Sequence, residues 1–228
     1  MRKLLWVIGA LAVVLVVVLA APAVYKAARG GDDPAATLID PGAADAAATD
    51  LDGTWAVVPG ESPHETVAGY TVDEVLRGEP VTVVGTTGQV GGEARIAEGV
   101  LEAARFEVRM DGLATDIGAR DERARQPDIL DVEGHPVSTL VVAERVDLSG
   151  IPDDGTTATV PVQVDLTVKG TTVRTPVEVT VLRSGDQVIA SGAIPVTWTD
   201  VGVEPPSLGF VTVAPEGTVD FRVALRKR

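Results

Sequence analysis

The sequence predicts an all-β domain of about eight short antiparallel strands, set behind an apolar N-terminal segment. Three observations carry this. Hydrophobic residues make up 45% of the 228-residue chain but aromatics only 4%, so the apolar mass is mostly Val, Ala, Leu and Ile, and its β-branched share favours strands. Short segments alternate apolar and polar residues with period two, as a half-buried strand requires. Turn residues punctuate these segments without intervening helical patterns, which describes an antiparallel meander closing into a barrel or sandwich.

Taken in order, residues 1–30 form the first unit. Arg2 and Lys3 precede an unbroken apolar run over residues 4–21, and Lys26 and Arg29 follow it. The run is about as short as a membrane-spanning helix can be, and longer than the roughly 7–15 residues of a signal-peptide core. It reads as an uncleaved transmembrane signal anchor with its N-terminus inside and the rest of the chain extracytoplasmic, because the charge closest to the apolar run is on the N-terminal side. The alternative is cleavage after Ala23, since Ala21-Pro22-Ala23 has the small-x-small form of a cleavage site, and the domain is then secreted. Residues 31–52 carry six aspartates, no basic residue and few large apolar groups, and read as a disordered acidic linker.

Residues 53–228 form the folded domain. In RFEVRM, Phe106, Val108 and Met110 share one face and Arg105, Glu107 and Arg109 the other. In VDFRVALR, Val219, Phe221, Val223 and Leu225 oppose Asp220, Arg222, Ala224 and Arg226. VEVTVLR and VQVDLTV repeat the pattern, with ARIAEGVLEA and AERVDLSGI as weaker strands. Turns are expected at Gly91-Gly92, over residues 150–155, at Lys169-Gly170 and at Ser184-Gly185-Asp186. Only ARDERARQPDILDVEGHP, residues 119–136, lacks the alternation; it reads as a short helix or ordered loop between two strands.

Several function classes are excluded. The formal charge of −14 repels phosphate backbones, so nucleic acid is not expected as a partner. No cysteine is present, which removes disulfides, thiol catalysis and cysteine-ligated zinc. Neither a Gly-x-Ser-x-Gly elbow nor a Gly-Lys-Ser/Thr phosphate loop occurs. His64 and His135 lie 71 positions apart, without the helical-turn spacing of a zinc protease. Asp128 and Asp131 have the spacing of a paired-carboxylate or calcium site, but Asp also caps helices and turns, and Arg120, Arg123 and Arg125 stand close by in sequence. The stretch reads as a salt-bridged excursion held through Arg120 and Asp121, with no catalytic or metal residue assigned and no enzyme activity expected.

Four motifs, in order, resemble the YceI-like family of secreted or periplasmic proteins. Gly88, Val90 and Gly91 in VGTTGQVGGEARI fit the first. Arg120, Asp121, Asp128, Ile129, Leu130, Asp131, Val132 and Pro136 fit the second, although His135 replaces the usual tyrosine and Glu122-Arg123 the usual His-Leu. Leu166, Thr167, Gly170 and Thr172 fit the third, and Asp200, Gly202 and Val203 the fourth. The resemblance spans nearly all of residues 53–228. It implies an extended, lipocalin-like, eight-stranded antiparallel barrel whose interior holds a polyisoprenoid lipid, with no other cofactor.

An eight-stranded barrel is just wide enough to be filled by side chains or to hold one ligand, and small aliphatic walls favour the second. Candidate lining residues are Phe106, Val108, Met110, Phe210, Val211 and Val213, with Trp198 and Tyr70 as further wall aromatics. Arg120, Arg123 or Arg125 would meet a polar head such as pyrophosphate if the excursion borders the mouth. The expected function is a membrane-anchored, extracytoplasmic carrier of an isoprenoid-type lipid. The rivals are a structural or adhesion module with a self-filled barrel and, third, a hydrolase.

Overall fold

The computed structural model describes residues 39, 40, 42, 44–207 and 209–228. Among them the strands are β1 (Gly53–Val58), β2 (Val67–Leu76), β3 (Glu79–Thr87), β4 (Val90–Ala97), β5 (Val100–Arg109), β6 (Val137–Val142), β7 (Val146–Asp147), β8 (Thr157–Val168), β9 (Thr171–Ser184), β10 (Gln187–Thr197) and β11 (Val211–Lys227). One helix, α1 (Gly118–Ala124), lies between β5 and β6.

Eight strand positions close on themselves. β11 pairs antiparallel with β2 over residues 211–222 and with β1 over 224–227, so β1 and β2 are two halves of one strand position. β3 and β4 pair with β2 and β1 in turn and form the next position, broken at Gly88-Gln89. The ring continues through β5, β6, β8, β9 and β10 back to β11, each neighbour antiparallel. Closure removes the exposed sheet edges that invite aggregation. Within the ring, among the described residues, only β3 lacks a ladder on its far side. There residues 110–136 step in, with Thr86 and Ala114 exchanging backbone hydrogen bonds of 2.9 and 3.0 Å. The stretch that broke the sequence's alternation is therefore the patch over a gap in the wall.

Turn chemistry follows the sequence at three places; residues 150–155 fall in the connection between β7 and β8, with Gly155 at φ +84. Lys169-Gly170 makes a two-residue hairpin with both residues at positive φ, the geometry whose twist matches the flanking strands. Gly185 turns β9 into β10. Gly91-Gly92 does not form the expected turn: both lie within β4, where Gly92 at φ +147 faces Phe106 so closely that a Cβ would stand 2.3 Å from the Arg105 carbonyl oxygen. ARIAEGVLEA likewise is a hairpin, turning at Glu98-Gly99, rather than one strand.

The core has two halves. At one end Trp55, Ile96, Leu148, Ile151, Val181, Val188 and Leu225 pack together. Leu148 and Ile151 come from the loop after β7, so this end is plugged by residues beyond the main strands. At the other end Val72, Val83, Val164, Leu166, Ile194, Val196 and Trp198 line the wall. The outer face of β11 is not the solvent face that alternation implied. Ala224 is fully buried and Arg222 nearly so, because residues 59–66 cross over them: Arg222 Nε donates to the Glu65 carbonyl at 3.0 Å and the Ala224 amide to Thr66 Oγ1 at 2.9 Å. Asp220 is fully buried too, beside β2, where it accepts from the Thr71 hydroxyl at 2.6 Å.

No helix among the described residues is long and apolar enough to cross a membrane; the expected signal anchor, with its run over residues 4–21, lies outside them. The stretch read as a free linker is, over residues 44–52, bound to the plugged end. The Ala47 amide donates to Asp153 and the Ala48 amide to Gly185, each at 2.7 Å. Lys227 Nζ meets Asp50 Oδ1 at 2.6 Å, and the Trp55 indole donates to the Leu51 carbonyl at 2.7 Å. Spaced aspartates suggest only self-repulsion, whereas Asp50 and Asp52 themselves bind the barrel, Asp52 accepting from the Glu98 and Gly99 amides at 3.0 and 2.9 Å, alongside the backbone groups and Leu51.

Candidate functional site: an apolar cavity

The unplugged half of the barrel encloses a cavity of about 450 Å³, within the roughly 300–1,000 Å³ of small-molecule sites. Its wall is made by inward positions of successive strands: Tyr70, Val72, Glu74 and Leu76 of β2, Val83 of β3, Phe106 and Val108 of β5, Leu140 of β6, Leu166 and Val168 of β8, Ile194 of β10, and Val213, Val219 and Phe221 of β11. Valine at so many of these positions leaves the centre unreached, and Leu113, Ile129 and Leu130 of the excursion border the space without filling it. Ile117 and Phe210 also line the cavity, 39% and 60% exposed, so it opens between the start of α1 and the segment preceding β11.

All seven residues singled out as lining candidates border this space: Phe106, Val108, Met110, Trp198, Phe210, Val211 and Val213. Tyr70 joins them, edge-on to Trp198 with ring centroids 6.3 Å apart. Burial pushes its phenol up to about 12, outweighing the opposing pull of Arg120, so the ring stays neutral at physiological pH. The Trp198 indole N–H is buried with no acceptor among the described residues.

The three arginines divide. Arg120 and Arg123 line the cavity; Arg125 does not, and instead donates to the Leu113 carbonyl at 2.9 Å, tying α1 to the segment after β5. Arg120 reaches Glu74 at 3.0 Å and Asp116 at 2.8 Å. Arg123 grips Asp128 through both guanidinium nitrogens, one at 2.7 Å, and this holds the Asp128 carboxyl down at about 2. Asp121 accepts from the Thr115 amide at 2.8 Å and its hydroxyl at 2.7 Å, fixing the entry to α1 as expected of this residue. Asp131, at φ +47, accepts from the Gly134 amide and lies 3.7 Å from His135. Asp128 and Asp131 thus serve separate partners, and no cluster of three metal-ligating side chains occurs among the described residues.

Sequence reasoning missed Glu74. It is 7% exposed on the cavity wall, and its signal was available: in YTVDEVL it shares parity with Tyr70, Val72 and Leu76, a charge at an inward position. Leu113, Ile129 and Leu130 were also missed as lining residues, because the excursion has no period from which to read a face.

A YceI-like domain model matches residues 55–225. The chain belongs to the YceI-like family. Among solved structures it is similar to BcnA of Burkholderia cenocepacia (18% identity, 68% of this chain and 95% of that one, TM-score 0.52). It is also similar to a polyisoprenoid binding domain from Saccharophagus degradans (16% identity, 72% and 98%, TM-score 0.55). At these identities the YceI-like barrel fold is what is shared. No curated protein matches the chain.

Proposed function

We propose that this YceI-like protein binds a polyisoprenoid-type lipid in its cavity and sequesters or carries it outside the cytoplasm, held to the membrane by its N-terminal segment, without chemical turnover. The observation that carries the reading is the half-empty barrel. A wall of valine, leucine and aromatic side chains around about 450 Å³ suits a hydrocarbon tail, and each methylene moved from water into it contributes about 0.8 kcal/mol. A few isoprene units then offset the cost of ordering the tail. The binding described for the Saccharophagus domain supports the same ligand class. The apolar run over residues 4–21 supports the tether, which would keep the carrier near the bilayer where such lipids reside.

The test is an organic extract of the full-length protein, purified without harsh detergent and analysed for prenyl lipids. Recovery of a prenyl lipid in near-stoichiometric amount is expected; an extract free of lipid from a protein that also fails to take up added polyprenol would overturn the proposal.

A further inference from the structure

We infer that the cavity takes amphiphiles whose polar end is uncharged and discriminates against those ending in phosphate or diphosphate. The inference rests on the lipid-binding reading above and concerns which lipid. An anionic head needs uncommitted cationic donors, since guanidinium forks bind phosphate through the same N–H groups that they offer to carboxylates. At this mouth those groups are engaged. Arg120 spends one nitrogen on Glu74 and the other on Asp116, with side chains 7% and 14% exposed. Arg123 is closed bidentately on Asp128. Arg125 faces backbone carbonyls away from the cavity. Lys169, on the β8–β9 turn, adds its field to Asp128. Arg120, Arg123 and Lys169 therefore stand against Glu74, Asp116 and Asp128, with the buried Asp220 a further carboxylate on the cavity lining, and the charges leave no positive surplus.

A diphosphate drawing Arg120 toward itself would leave Glu74, whose described partner is that arginine, as a buried carboxylate with no counter-ion and next to further negative charge. An alcohol or carbonyl head imposes neither cost. It can stay at the opening between Ile117 and Phe210, hydrogen-bonded to water or to the outer edge of the ion pairs, while its tail fills the cavity.

Geranylgeraniol and geranylgeranyl diphosphate differ only at the head and separate the two possibilities. Each is titrated into the full-length, delipidated protein and retention is read by native mass spectrometry at equal free concentration. The alcohol is expected to be retained at least as strongly as the diphosphate. Stronger retention of the diphosphate overturns the inference while leaving lipid binding intact, and failure of both removes the lipid-binding reading and this inference with it. In the double variant Glu74→Gln, Asp116→Asn, which removes both carboxylates facing Arg120, diphosphate retention relative to the alcohol should rise about tenfold. If the variant's circular dichroism spectrum matches the wild type and diphosphate retention does not rise, the committed arginine is not the cause of selection and the inference falls.

Discussion

Replacing Arg120 by methionine probes the ion pair at the cavity wall and the packing of α1 together. Methionine keeps most of the aliphatic stem and removes the guanidinium. Glu74 is 7% exposed, Arg120 19%, and the described partner of Glu74 is Arg120 at 3.0 Å. Breaking one side of a buried pair costs about 3–5 kcal/mol, most of it from the stranded charge; with Arg120 reaching partly to solvent, about 3 kcal/mol is expected. Glu74→Gln is the asymmetric control. Arg120 then keeps Asp116 at 2.8 Å and an amide oxygen in place of the carboxylate, so the loss should be about 1 kcal/mol. The double variant should cost less than the two singles added, because Glu74 no longer carries a charge to strand and only the Asp116 pairing is lost. Urea denaturation at pH 7, followed by far-ultraviolet circular dichroism, measures all three. A loss under about 1 kcal/mol for Arg120→Met, or a larger loss for Glu74→Gln than for Arg120→Met, would refute the reasoning.

Three further outcomes follow from other parts of the molecule. Gly69→Ala would place a Cβ 1.9 Å from the Gly85 carbonyl oxygen, prying β2 from β3, and should destabilise the barrel by about 1–3 kcal/mol in the same denaturation assay. Burial, aided by the Arg222 charge, lowers the pKa of His64 below its ordinary 6.5, so the unfolded chain takes the proton first. The stability that neutral His64 contributes is full above pH 6.5 and is lost as pH falls through the folded value; His64→Gln should flatten the stability profile between pH 7.5 and about 5. Finally, the Ala47 and Ala48 amides, each 2.7 Å from a carbonyl oxygen, should exchange with deuterium more slowly than those of an unstructured acidic peptide; exchange at the free rate would show that this stretch is not held to the barrel.

Period-two alternation was sufficient to find the wall. Phe106, Val108 and Met110 were placed inward because Arg105, Glu107 and Arg109 had to face water, and the same parity extends to Val213 and Val219. Alternation reports on one sheet face at a time, however, and cannot announce what lies on the other. Arg222 and Ala224 share the polar face in sequence yet lie under residues 59–66, a long-range contact without local signature. Gly91-Gly92 misled for a related reason, since a glycine needed for close approach to Phe106 looks in sequence like one needed for a turn. The excursion reads in sequence as salt-bridged, as the Arg123–Asp128 pair shows it to be, with a ligand role for its arginines only if it borders the mouth. Their commitment to Glu74, Asp116 and Asp128 depends on a partner 46 positions away in one case, which no local pattern reveals. The division of the core into a plugged and a hollow half was equally invisible, because Leu148 and Ile151 plug the barrel from a loop.

Whether that hollow half is a lipid site is tested most directly by native mass spectrometry of the gently purified full-length protein beside a variant with the space filled. Val108→Trp puts an indole into the cavity from β5. The wild type should carry an added mass in the range of a prenyl lipid, released by collisional activation, and the folded variant should run at its bare polypeptide mass. A wild type that is bare even after incubation with polyprenol, or a variant that retains the lipid as well as the wild type does, would contradict the assignment of the cavity as the binding site.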